Sequence, residues 1–255
     1  MKKFIGDWII SANISLNKSN FLLKLTYSEP LPLILPGQFV QIKIDNVSSA
    51  FLRRTFSINY VNVDKKEIWI LIQIVGDGTQ ALSKSKPGEK LNLIFPLGNA
   101  FSMPYSKKSN LLLIGGGVGI APLLFLGSKL KEEGVTPNFL IGAKNADGLI
   151  ELDEFHKHGN VFVTTEDGSV GEKGFVTEHS VLQNTFDKIY SCGPTPMMKA
   201  VARYAEKYSI DCEVSLENKM ACGIGACLCC VTPTQHGHQC VCTEGPVFNT
   251  KELVW

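Results

Sequence analysis

"LLLIGGGVGIAPLLFLG", residues 111–127, decides how the rest of the chain is read. Its first five residues are a short, wholly apolar run, the pattern of a strand buried on both faces. Gly115, Gly116, Gly117 and Gly119 then make a loop, and "APLLFLGSKLKEEG" reads as a helix stopped by Gly134. Strand, glycine loop and helix in that order predict a parallel sheet. The loop is also a place where backbone N–H groups can meet a phosphate at a helix start. The register is not a strict G-x-G-x-x-G, since Ala121 and then Pro122 stand at its end, but the strand before and the helix after favour nucleotide binding over a bare turn. Five glycines and a proline make the same run a poor membrane span.

Reading outward from this loop, "NFLIGAK", "NVFVTTE" and "KIYSCG" supply further strands, and "TPMMKAVARYAEKYS" another helix. Upstream the grammar is different. "FLLKLTY", "QFVQIKI", "RRTFSINY", "IWILIQIV" and "KLNLIFPLG" are short strand-like runs separated by turn signals such as "NVDKKE", "GDGT" and "KPGEK". That spacing predicts a small antiparallel barrel or sandwich. The polar stretch "SMPYSKKSN", 102–110, reads as the connection, and residues 217–255 carry neither period. The expected division is a β domain over 1–103, an α/β domain over 104–212 and a cysteine-rich unit over 213–255.

A chain of 255 residues with 44% hydrophobic residues can build more than one core. A net charge of +1, from 25 basic and 24 acidic residues, gives no reason to expect nucleic acid or an anionic membrane. Asp7, Ser11 and Asn13 interrupt any signal-peptide core in the first residues, so the expected compartment is the cytoplasm. Thiols stay reduced there, and eight cysteines then point to metal or redox chemistry rather than disulfides.

Four of the eight lie in "MACGIGACLCCV", 220–231. The spacing Cys222-x4-Cys227-x2-Cys230, followed by a distant cysteine, is the three-plus-one pattern of a plant-type [2Fe-2S] site, with Gly223 and Gly225 letting the backbone wrap the core. Zinc is the competing reading, with Cys227-x2-Cys230 as one hook and Cys240-x-Cys242 as a cramped second. Spacing leaves Cys240 and Cys242 open as the fourth ligand and puts Cys229 outside the pattern. In the β domain, "FLRRTFSI", 51–58, alternates so that Arg54, Phe56 and Ile58 share one face and Thr55 and Ser57 the other. A guanidinium suits a pyrophosphate and an aromatic offers a stacking surface. "VGDGTQALS", 75–83, offers a second turn through Gly76, Gly78 and Thr79.

Arg-x-aromatic-Ser on a barrel, then a glycine-rich strand–helix loop, then Cys-Gly-Pro resemble the ferredoxin reductase family. The resemblance implies FAD on the barrel and a nicotinamide dinucleotide on the α/β domain. It assigns Arg54 to the flavin pyrophosphate, Thr55, Phe56 and Ser57 to the flavin ring, and Gly78 and Thr79 to a second phosphate turn. Leu71, Ile72 and Gln73 join the same cofactor set. On the dinucleotide side it assigns Gly115, Gly116, Gly117, Gly119 and Pro122, with Cys192, Gly193 and Pro194. The tail "MACGIGACLCCV…CTEGPVF", together with "TTEDGSVGEKGFVT" and "PLGNAF", resembles the electron transfer subunits of B-type dihydroorotate dehydrogenases. That resemblance selects Cys242, which precedes the Gly-Pro-Val-Phe run, as the ligand completing Cys222, Cys227 and Cys230.

The family's pattern departs here at Cys229, usually glycine, and at the residue before Pro96, often glycine. The resemblance further implies a catalytic partner subunit carrying FMN and a heterotetramer with two of each chain. Electrons would pass through the cluster and FAD to NAD+ in pyrimidine (UMP) synthesis. A subunit of an NAD(P)H–ferredoxin oxidoreductase or sulfide dehydrogenase shares these parts, and a zinc-bound, non-catalytic binding subunit is the expectation of another class.

Overall fold

The computed structural model describes residues 2–45, 47–104 and 106–255; Tyr105 of the expected connection lies outside them. Seven strands build the first sheet: β1 (Phe4–Ser15), β2 (Asn20–Thr26), β3 (Phe39–Ile42), β4 (Arg54–Ser57), β5 (Tyr60–Asn62), β6 (Glu67–Gln73) and β7 (Lys90–Leu97). They pair antiparallel in the order β4-β3-β7-β1-β2-β6-β5, so the expected antiparallel barrel is left half-open. Its core is aliphatic and aromatic, with Trp8, Leu23, Ile42, Ile68, Leu93 and Phe95 all fully buried.

Two elements differ from the sequence expectation. The run "RRTFSINY" is two strands rather than one, since Ile58 and Asn59 leave β4 before β5 begins at Tyr60. The first residues form β1, in which Asp7 and Ser11 take outward positions while Trp8 and Ile10 face the core. Polar residues that spoil an apolar run are thus what a half-solvated strand needs.

The second sheet joins β8 (Leu111–Gly116), β9 (Asn138–Ala143), β10 (Asn160–Thr165), β11 (Glu172–Lys173), β12 (Lys188–Cys192) and β13 (Asp211–Ser215), all parallel. The helices α2 (Ala121–Glu132), α3 (Leu152–His156) and α4 (Thr195–Lys207) lie between them, after the single short helix α1 (Asp77–Ser83) of the barrel. Gly134 has φ +86° and ends α2 as its type predicts. In the tail, β14 (Val231–Thr234) and β15 (Gly237–Cys240) form a hairpin, and β16 (Val247–Asn249) returns to pair antiparallel with β13. β13 runs across position 212, where the second expected unit ends, so tail and sheet are structurally continuous. One hydrophobic cluster accordingly joins Phe39 and Leu97 of the barrel, Leu112 and Ile189 of the second sheet, and Cys230, Cys242 and Phe248 of the tail. No helix of the described residues is long and apolar enough to cross a membrane.

Candidate functional site

The residues expected to carry the chemistry fall into three groups, and the fold places each on a different support. At the carboxyl ends of β8, β9, β10 and β12 lies a cavity of about 800 Å³. Open α/β sheets bind ligands at this end, where loops diverge and helix starts present N–H groups. Gly116, Gly117, Gly119, Gly193 and Pro194 line it, and Gln73 of β6 reaches it from the barrel. Gly115, Pro122 and Cys192 do not line the cavity but stand behind it, all buried. Gly119 packs so closely on the 192–193 turn that a Cβ there would meet Gly193 Cα at 2.4 Å. Cys192 is fully buried, and burial followed by the Glu217 charge pushes its thiol well above its ordinary range. It packs beneath the loop.

Charged residues outside the assigned set also face the cavity. Lys144, Glu166 and Glu217 all line it, and burial raises the Glu217 carboxyl. Asp167 is committed elsewhere: its Oδ1 accepts from Ser169 N at 2.9 Å and from Ser169 Oγ at 2.6 Å, closing a turn. Glu217 follows the strand run "CEVSL", and no motif or spacing in the sequence singles it out.

On the barrel, the arginine pair divides. Arg53 is tied down, its Nη1 donating to Asn92 O at 2.8 Å and its Nη2 to Asn92 Oδ1 at 2.5 Å. Arg54 lies over Gly78, where a Cβ would come within 3.4 Å of its Nε. The structure therefore brings Arg54 and Gly78 together, as one phosphate-binding corner requires. Thr79, expected at the second phosphate turn, sits beside Gly78 with its side chain engaged locally. It lies in α1, and its Oγ1 accepts from Val75 N at 2.9 Å and Gly76 N at 3.2 Å while donating to Gly76 O. A buried hydroxyl so engaged caps its own helix. Phe56 is half-buried against the barrel core, Thr55 and Ser57 are half-buried on β4, and Leu71 and Ile72 are buried in β6.

The cysteine loop is the third group. Gly223, Gly225 and Leu228 have φ of +67°, +83° and +57°, curling the chain so that its amides turn inward. Cys222 Sγ accepts from Ile224 N, Ala226 N and Cys227 N at 3.4, 3.3 and 3.4 Å, and Cys242 Sγ from Gly225 N at 3.2 Å. Burial opposes ionisation of Cys222, but the amides of Ile224 and Cys227, the Cys227 thiol and the Ala226 amide outweigh it and bring the thiol down to about 6. Cys242 goes the other way, pushed up to about 12 by burial first and then by its bond with Cys230.

Cys230 and Cys242 are buried, Cys222 is half-buried, and Cys227 and Cys229 are exposed. Cys240 turns its N–H to Glu244 Oε2, 2.8 Å away. Among the described residues no three His, Cys, Asp or Glu side chains close on a single metal ion. A two-iron core needs sulfurs around a larger body, with amides aimed at them, and this donor set fits that group.

Fold and site define the class: an NAD-binding, iron–sulfur-binding oxidoreductase with the ferredoxin reductase architecture. Residues 113–203 match the oxidoreductase NAD-binding domain, and residues 217–254 match the iron–sulfur cluster binding domain of dihydroorotate dehydrogenase B. The chain is 39% identical to the electron transfer subunit of dihydroorotate dehydrogenase B (NAD+) of Shouchella clausii, over 100% of both chains. Its identity to the same subunit of Fusobacterium nucleatum is 36%, over 98% of both. Among solved structures, that of an NADH-dependent reduced ferredoxin–NADP oxidoreductase, described for flavin-based electron bifurcation, superposes with a TM-score of 0.87 at 29% identity. The match covers 97% of this chain and 90% of that one. The chain belongs to the family of dihydroorotate dehydrogenase B (NAD+) electron transfer subunits.

Proposed function

We propose that the chain relays electrons from dihydroorotate, oxidised at the FMN of a catalytic partner subunit, by way of its iron–sulfur group and FAD to NAD+. Cys222, Cys227, Cys230 and Cys242 would hold the cluster. Arg54 and Gly78 would take the flavin phosphates, β4 and β6 its ring, and the 116–119 loop with the 193–194 turn the dinucleotide. A flavin exchanges electrons singly or in pairs, which lets a one-electron cluster serve a two-electron nicotinamide. The division into units 1–103, 104–212 and 213–255, the cytoplasmic site of action and the pairing of two chains with two catalytic subunits belong to the same proposal.

The observation that carries the reading is the position of the barrel. Gln73 of β6 lines the dinucleotide cavity, while Gln41 of β3 touches the cysteine loop at Ala221. One flavin-sized support thus meets both other sites. The test is reconstitution with the catalytic subunit. Cys227→Ala is expected to lose the visible absorption of the cluster and most NAD+-linked dihydroorotate oxidation, while NADH still bleaches the flavin. Full NAD+-linked turnover by that variant would refute the proposed path. The likeness to the ferredoxin–NADP oxidoreductase structure favours a second reading, in which the partner is a different flavoprotein. Co-purification with a dihydroorotate-oxidising chain decides between them.

A further inference from the structure

Gln41 lies between the barrel and the cysteine loop, a polar side chain with no solvent exposure at all. Its strand is clamped on both sides, paired with Thr55 of β4 and Ile94 of β7. Its Nε2 donates to Ala221 O at 3.2 Å and, more weakly, to Thr55 Oγ1 at 3.4 Å. The amide orientation follows from chemistry, because a peptide carbonyl only accepts. Gly223 closes the other side: a Cβ there would lie 2.6–2.8 Å from the Gln41 amide atoms. The remaining oxygen, Oε1, is buried with no partner among the described residues.

A polar group so placed costs stability, and an apolar side chain of similar size would pack there without that cost. Its two donor bonds are therefore the feature that needs a role. They run from Thr55, on the strand assigned to the flavin ring, to the peptide that leads into Cys222. That residue's sulfur collects three loop amides. Fixing the 221–222 peptide fixes where those amides point, and amides aimed at a cluster's sulfurs tune its potential.

We propose that Gln41 is a positioning residue that seats the cysteine loop on the flavin strand and thereby sets the electronic environment of the iron–sulfur group. The proposal rests on reading residues 220–242 as the cluster cradle, which iron content and the Cys227→Ala variant test separately.

The experiment compares the holo chain with Gln41→Met, which keeps the volume and removes the donor. FAD and iron per chain confirm loading. Two readouts follow: the electron paramagnetic resonance of the reduced cluster, and its reduced-to-oxidised ratio at a fixed applied potential. The expected result is altered g-values and a ratio changed by at least threefold, or retained FAD with loss of iron. Wild-type g-values and an unchanged ratio at full loading would overturn it. Should the variant not fold, the unsubstituted holo chain serves, with its glutamine side-chain amides isotopically labelled. The Gln41 amide protons are expected to exchange slowly with solvent and to shift or broaden when the cluster is reduced. A sharp, freely exchanging Gln41 amide would overturn the proposal as well.

Discussion

A methyl group at Gly119 would lie 2.4 Å from Gly193 Cα and 2.6 Å from Cys192 O, both backbone atoms that cannot swing away. Glycine at this position is thus a matter of contact between two loops, beyond the turn that the sequence pattern suggests. Gly119→Ala is expected to cost about 1–3 kcal/mol through overpacking. Because the displaced loop lines the cavity, NADH should also bind at least tenfold more weakly, read by denaturant unfolding and by NADH titration. The same scale shows where local reading stops. "FLRRTFSI" marks two arginines, yet only packing separates Arg53, spent on Asn92, from Arg54, left over Gly78. Cys192 reads from sequence equally as a small buried residue or as a group at the ligand-binding end of the sheet, and only packing places it fully buried, where burial pushes its thiol up. Phe95, the departure before Pro96, fills the barrel core 4.8 Å edge-on from Trp8 and 5.2 Å from Tyr27.

Among elements, the joints between sheets hold the most information. Glu151, at the start of α3 with φ +58°, receives two bonds from Asn59 Nδ2 of the barrel, at 2.9 and 3.2 Å. Burial lifts its carboxyl from 4.5 to about 7, opposed by the Asn59 bond, with Glu154 raising and Lys24 lowering it further. The folded chain therefore holds this proton more tightly than the unfolded one, so the contribution to stability is greatest below pH 4.5 and falls as pH rises towards 7. Glu151→Gln keeps an acceptor for Asn59 and removes the titration. Its unfolding free energy should match the parent near pH 4.5 and exceed it by on the order of 1–2 kcal/mol at pH 8. A parallel pH profile in both proteins would show that Glu151 stays ionised. A second joint explains two sequence motifs at once. Gly98 of "PLGNAF" lies against Pro246 of "GPVF", and Asn99 N donates to Gly245 O at 2.6 Å. The motifs are about 150 residues apart and form one interlock, which no local pattern reveals.

For the whole molecule, the tail is a structural member of the second sheet as well as a cluster cradle. Phe248 is 3% exposed, pairs across from Val214, and joins the core that unites barrel, sheet and tail. Phe248→Ala should cost about 3–5 kcal/mol, lowering the unfolding midpoint of the entire chain even after iron is removed by a chelator. A tail that unfolds alone, with the remaining transition unmoved, would contradict this. The strand–loop–helix unit at 111–132, the barrel runs that became β2 to β7 (though not β1 or the break between β4 and β5) and the three-plus-one cysteine spacing were legible in the sequence alone, because periodicity and ligand spacing act over a few residues. Tertiary structure alone decided that β16 completes the sheet, that Thr79 caps its own helix, and that Gln41 reaches Ala221, 180 positions away. Those outcomes depend on which surfaces meet once the chain closes, and contacts between distant segments leave no period in the sequence to read.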